Sequence, residues 1–273
     1  MAQRPLQDDL RSRTMERLDK TEAARLLMFF KAQRPEENYC FHFQLKHKPR
    51  RGRTAYYEGI MYGSLSEAGP VTRVKIYPNE MGDDSPVGLS PIDMIVQNGV
   101  SPKVWIRRQN SDAFTLIEGD SLFEPIFDGI LYTPFDLQMP FIFWNKYAYE
   151  GPSRVLSRIG QKFLMFPPEG SPAELNGVVA VRVSIDDTYY ALLRAEVLQG
   201  DDEVRSQFTV RGIKKIRDRY IVKEVELKNL RTKDATTFRV KAASIGLKQA
   251  DSIFNPDQPE EPPKLSAIPL EEF

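Results

Sequence analysis

The residues able to do chemistry are few. One cysteine, Cys40, and two histidines, His42 and His47, sit close together. A thiol acts as a nucleophile when an imidazole base stands beside it. Here Tyr39, Phe41, Phe43 and Leu45 alternate with Cys40, His42, Gln44 and Lys46. That period of two predicts a half-buried strand, so His42 and His47 point to opposite faces and share no metal ion. Cys40 reads as a small buried hydrophobe and the histidines as surface or interface residues. The acidic doublets Asp186-Asp187 and Asp201-Asp202 fall at predicted hairpin turns, where turn chemistry accounts for them without acid–base catalysis. There is no phosphate-binding glycine loop and no Gly-x-Ser-x-Gly elbow. The inventory points away from an enzyme, and no cofactor or metal is expected.

Two other groups of residues could bind rather than react. The run Lys46, Lys48, Arg50, Arg51 and Arg53 offers contacts to anionic headgroups or an acidic partner, although a solvated hairpin tip accounts for it too. The block from Phe135 to Trp144 holds seven large apolar side chains around Pro140, among them Leu137, Phe141 and Phe143. It reads as a hydrophobic site wall or as core.

The elements that must position these groups follow from periodicity. The first thirty residues read as helical, with Asp19 or Thr21 capping a segment from Glu22 to about Lys31. Strands are predicted near 39–46, 53–63, 71–77, 104–107 and 113–117. Residues 79–102 read as loop, punctuated by Gly82, Pro86, Gly88, Pro91 and Gly99, and residues 119–150 as short helical turns and loops. Beyond Gly160 an antiparallel meander is expected, with strands near 163–166, 179–185, 189–197, 206–217, 221–227 and 238–242. A one-sided sheet must bury its apolar face, and the N-terminal helices and the aromatic block are the available covers. Any gap beneath them would be an apolar ligand cavity.

At 273 residues, length alone allows about two domains, or one large β domain. The hydrophobic fraction of 41% is enough for a real core. Lys and Arg total 38 and so do Asp and Glu, a balance that argues against a dedicated nucleic-acid binder. The neutrality is a sum of opposed regions: residues 199–250 carry 13 Lys/Arg against 7 Asp/Glu, and residues 79–150 carry 4 against 11. Such asymmetry can steer partners. No run approaches a membrane-spanning length, and no apolar signal-peptide core is read at the N-terminus. From Asn255 onward, five prolines and several glutamates predict an acidic tail that is neither helix nor central strand, and that runs extended over the surface or is partly disordered. We therefore expect one domain over 1–254 and a tail over 255–273.

The segment Phe135-Asp136-Leu137-Gln138-Met139-Pro140-Phe141-Ile142-Phe143-Trp144 resembles a stretch of the LolA-like outer-membrane lipoprotein-sorting superfamily. Gly160-Gln161-Lys162-Phe163 with Pro167-Pro168, the Val181–Val197 hairpin carrying Leu193-Arg194-Ala195-Glu196, the basic hairpin from Ile213 to Thr237, and Ser252-Ile253-Phe254 are similar to later parts of that pattern. The resemblance spans roughly 20–256 and implies an α+β fold, a strongly curved antiparallel sheet or unclosed β-barrel with helices over an apolar cavity. It further implies a periplasmic carrier that shields lipid or lipoprotein acyl chains and touches membranes peripherally, made with a secretory signal that is removed. The alternative it implies is an envelope regulatory protein of the stress-sensor type that binds a partner protein. Candidate cavity residues are Tyr39, Phe41, Phe43, Trp105, Leu137, Phe141 and Trp144. Candidate contacts for an anionic partner are Lys48, Arg50 and Arg51.

Overall fold

The computed structural model describes residues 15–78, 92–108, 111–200 and 203–273. The predicted helix around Leu10 and the Asp201-Asp202 turn lie outside the described residues. Among the described residues the strands are β1 (Tyr39–Lys48), β2 (Ala55–Ser66), β3 (Gly69–Pro78), β4 (Ile92–Gln97), β5 (Lys103–Arg108), β6 (Thr115–Ile117), β7 (Tyr147–Val155), β8 (Arg158–Met165), β9 (Val178–Asp186), β10 (Leu192–Gln199), β11 (Glu203–Ile216), β12 (Arg219–Asn229), β13 (Ala235–Ile245) and β14 (Glu271–Glu272). The helices are α1 (Lys20–Lys31), α2 (Pro134–Gln138) and α3 (Pro172–Leu175).

All the strands join one curved, unclosed antiparallel sheet in the order β6-β5-β4-β3-β2-β1-β13-β12-β11-β10-β9-β8-β7, with β14 added against β13. Each half is a meander of neighbouring hairpins. The halves meet at a single seam, where β1 pairs with β13 from Tyr39–Ile245 to Lys48–Ala235. The curved sheet with a helical cover is the architecture expected from the sequence.

Three local readings need correction. Residues 15–19 are not helical; α1 begins at Lys20, because Asp19 caps it. The Asp19 carboxylate accepts from the Glu22 N–H at 2.8 Å, and the Glu22 carboxylate accepts from the Asp19 N–H at 3.2 Å. This reciprocal box stops the helix from extending backwards. Strand β4 lies in a stretch read as loop. Ile92, Asp93, Met94, Ile95 and Val96 are buried on both faces of the sheet, so the alternation that marks a one-sided strand is missing. Strand β7 was also unpredicted, since Gly151 and Pro152 argue against a central strand. It is an edge strand, with an irregularity in register between Tyr149 and Gly151, and an edge tolerates both residues.

The inner face of the sheet is roofed by α1 and by the 119–144 segment. Helix α1 turns Ala23, Leu26, Leu27 and Phe30 inward, a spacing that puts all four on one stripe. They join Phe123, Phe135, Phe141 and Trp144 of the mid-chain segment against Phe163, Val181, Val183 and Ile185. The same mid-chain segment sends Ile126, Phe127, Ile130 and Tyr132 onto the other half, against Phe43, Leu45, Tyr57 and Val74. One irregular cover thus spans both meanders.

The outer face is covered where β1–β5 lie, and the cover is the C-terminal tail. Ile253, Phe254, Leu265 and Ile268 pack on Cys40, Tyr62, Val71 and Ile95. The tail then returns to the sheet, where β14 pairs with Ala242 and Ala243 beside the point at which β12 diverges from β13.

Candidate functional site

The inner face is built first by β1. Alternation puts Tyr39, Phe41, Phe43 and Leu45 on the roofed side. Phe43 lies over Gly59 of β2, where a Cβ would sit 2.2 Å from its ring. Glycine is needed there so the aromatic ring can lie flat on the strand. Phe43 packs on Phe238 at 4.8 Å, and Tyr39 stacks on Phe41 at 4.6 Å. Phe141 and Trp144 meet edge to face at 6.5 Å within the roof. Leu137, on α2, is half-buried against the β1–β5 half.

Six of the seven cavity candidates therefore belong to the inner side, but they fall in three packing groups. Tyr39 and Phe41 join Ile216, Ile221 and Ile245; Phe43 and Leu137 join the β1–β5 core; Phe141 and Trp144 join the α1 side. Trp105 pairs with Ile95, packs beside Cys40 and Tyr62, and lies on the outer face beneath the tail. Lys48, Arg50 and Arg51 sit exposed at the β1–β2 turn. There the Arg50 backbone N–H donates to Asp234 at 2.7 Å, tying this turn to the β12–β13 turn.

Beneath the roof is a cavity of about 110 Å³ that the sequence reading did not locate. Phe123, Leu131, Phe135, Val197 and Leu227 give it apolar walls, and Asp136 and Arg205 give it one polar end. Helix α2 sets Asp136 through a second reciprocal cap. Asp136 accepts from the Thr133 N–H at 2.9 Å and from its hydroxyl at 2.8 Å, and the Asp136 N–H donates to the Thr133 hydroxyl at 3.2 Å. Burial pushes the Asp136 carboxyl above its ordinary range, against the opposing pull of Thr133 and of the Arg205 charge. Arg205 also donates to the Phe123 carbonyl at 3.4 Å, linking β11 to the roof. The one available signal was Thr133-Pro134-x-Asp136, a helix-start pattern.

The roof is fastened by scattered single polar contacts. Lys31 donates to the Trp144 carbonyl at 2.5 Å, and Asn98 donates to the Leu137 and Gln138 carbonyls at 2.9 and 2.8 Å. Tyr149 accepts from the Leu18 N–H at 2.9 Å. The Leu131 N–H donates to the Thr236 hydroxyl at 3.0 Å, Arg108 to the Ile126 carbonyl at 3.2 Å and Asn176 to Asp120 at 3.1 Å. Apolar side-chain packing, which is non-directional, supplies the rest.

His42 and His47 lie on opposite sides of β1. His42 meets Glu58 at 3.1 Å on the outer side, and His47 meets the Thr236 hydroxyl at 2.9 Å on the inner side. Cys40 is buried, and burial pushes its thiol up to about 12. We expect no reaction of the folded protein with a thiol reagent at pH 8, and one equivalent of labelling after unfolding in urea. Rapid labelling of the folded chain would show that the tail opens readily over Cys40.

Known structures place this architecture. The fold matches a domain from Vibrio parahaemolyticus described as an outer membrane lipoprotein-sorting protein, with a TM-score of 0.69 and 13% identity over 85% of this chain and 95% of that one. It matches a DUF1329 family protein from Desulfovibrio piger equally well, at 0.69 and 13% identity over 87% and 98%. A LolA superfamily protein from Nitrosomonas europaea gives 0.61 and 10% identity over 85% and 97%. A family model described as "Uncharacterized protein" matches residues 178–258. No curated protein matches the sequence. The class is thus a helix-roofed, unclosed antiparallel sheet. The particular fold is the LolA-like one, as the sequence resemblance implied.

Proposed function

We propose that this protein binds the acyl chain of a lipid or lipoprotein under its roof and works as a carrier in the bacterial envelope. The observation that carries the reading is the inner face: an apolar sheet surface, roofed by short separate helices, with a cavity between them that has one charged end. Acyl binding needs apolar burial and no reactive group, at about 0.8 kcal/mol per methylene. Ligand pockets commonly measure about 300–1,000 Å³, so the 110 Å³ cavity is too small for a long chain without rearrangement. Entry of a long chain requires the roof to lift, exchanging Phe123 and Phe135 contacts for ligand contacts.

Titration with a fluorescent polyene fatty acid tests this. Saturable binding at one site, displaced by unlabelled palmitate, is expected. Replacing Val197 by Trp narrows the cavity from the strand side and is expected to weaken binding at least tenfold while leaving the circular dichroism unchanged. Absence of saturable binding by the wild-type chain, together with native mass spectra free of lipid, would overturn the proposal.

A further inference from the structure

The second half of the sheet carries a surface that the interior does not use. Strands β11 and β12 outrun their neighbours. Beyond Thr209 the pairing of β11 with β10 ends, and before Glu224 β12 has no partner in β13. Residues 211–223 therefore form a two-stranded ribbon, paired Ile213–Val222, Lys214–Ile221, Lys215–Tyr220 and Ile216–Arg219.

The ribbon has two unlike faces. One buries Ile216 and Ile221 against Val240, Ala243 and Ile245, and holds Lys214 and Lys223 over the Phe273 ring at 5.3 and 5.7 Å. The other presents Ile213 and Lys215 from β11, and Tyr220 and Val222 from β12, all exposed, with Arg211 beside them held by Glu226. Arg217, at the turn, reaches back to the Ile245 carbonyl at 3.4 Å. Ile213 and Val222 stand directly opposite each other, each 40% exposed, with Tyr220 at 37% one step along. Residues 211–223 hold six Lys or Arg against one acid, Asp218, which lies 3.6 Å from Lys215 at the exposed turn; Arg211 and Arg219 pair with Glu226 and Glu36 from outside the ribbon.

We propose that this outer ribbon face docks on an anionic lipid bilayer. Cations draw the ribbon to a negative surface, each worth about 1 kcal/mol or roughly fivefold in affinity. The Ile213–Val222 pair then enters the acyl boundary, and Tyr220 sits at the headgroup level, where its polar tip stays wet. Apolar and basic groups on one face supply the two signals that stable peripheral binding requires. Docking is separate from acyl uptake and stands whether or not the cavity fills.

The test is sedimentation of the full chain with phosphatidylcholine vesicles containing about 30 mol % phosphatidylglycerol, beside pure phosphatidylcholine vesicles. Binding is expected only to the former. We expect it to fall about tenfold or more in K215E, and comparably in I213S/V222S, with both variants retaining the wild-type dichroism and fatty-acid titration. An environment-sensitive dye on Ile213→Cys is expected to shift to the blue with anionic vesicles alone. Unchanged partition of both variants overturns the proposal. So does equal capture by soluble polyglutamate without a dye shift, which would mean charge attraction only. A dimer seen by light scattering and dissolved by I213S/V222S would assign the face to a second copy instead.

Discussion

Replacing Arg73 by methionine is expected to lower stability by about 3 kcal/mol, measured by urea unfolding, and to free the tail for proteolysis after Asn255. The Arg73 side chain is fully buried on the outer face. It grips Asp93 of β4 with two parallel bonds, Nε to Oδ1 at 3.0 Å and Nη2 to Oδ2 at 2.7 Å. Its remaining nitrogen donates to the carbonyls of Ile253 and Glu260. One guanidinium thus joins two strands to two turns of the tail. Methionine fills much of the volume but leaves both carbonyls without a donor. Arg107 still reaches Asp93 at 2.7 Å, which places the loss at the low end of the usual range for a broken buried pair. A matching Asp93→Asn change should restore part of it. A loss below about 1 kcal/mol would mean that packing by Ile253 and Phe254, rather than the ion pair, holds the tail.

The same junction carries a pH dependence. Glu261 is opposed by burial, but Lys75 and Arg107 outweigh it and hold its carboxyl down at about 2. A depressed carboxyl contributes stability that is present above its unfolded value, ~4.5, and is lost as pH falls toward 2. The difference in urea midpoint between wild type and Glu261→Gln should be constant above about pH 5 and vanish near pH 2. Glu261 is largely exposed, so the difference is small compared with that for Arg73.

Phe135→Ala is expected to act oppositely on stability and on binding. Phe135 is buried, touches Phe123 at 4.8 Å and Phe141 at 6.5 Å, and forms a wall of the cavity. Its truncation should cost about 3–5 kcal/mol, as for other buried phenylalanines. On the acyl-carrier reading, the vacated space accepts two or more methylenes, and the fatty acid should bind about tenfold more tightly. A side chain serving only as core would give the stability loss with unchanged or weaker affinity. Calorimetry and titration on the same sample separate the two.

The residues themselves explain which of these features could be read in advance. Helix α1 and strands β10 and β12 bury one face only and carry clean periods of 3.6 and 2, and β1 alternates apolar with polar residues even though the tail also buries Cys40 on its outer side. Strand β4 buries both faces, and β7 carries Gly151 and Pro152, so neither shows that signature. The cavity escaped detection because its walls come from a roof segment, β10, β11 and β12, distant in sequence and brought together only by sheet curvature. On sequence alone Trp105 belongs with the inner aromatics, because its neighbours do not reveal which face of β5 is roofed. The tail was read as extended, and composition predicts that much. Its grip on Arg73 depends on two backbone carbonyls, which no side-chain pattern announces.

The seam between β1 and β13 has a consequence for how the chain is made. His47 and Thr236 bond across it although 189 residues separate them. During synthesis the first meander is complete long before β13 leaves the ribosome, and until then β1 is a bare edge of Tyr39, Phe41 and Phe43. Closing so large a loop is slow, and an unpaired apolar edge invites intermolecular pairing in the meantime. Folding should therefore show a late, rate-limiting step, with the nascent first half dependent on a holding chaperone until its last strand arrives.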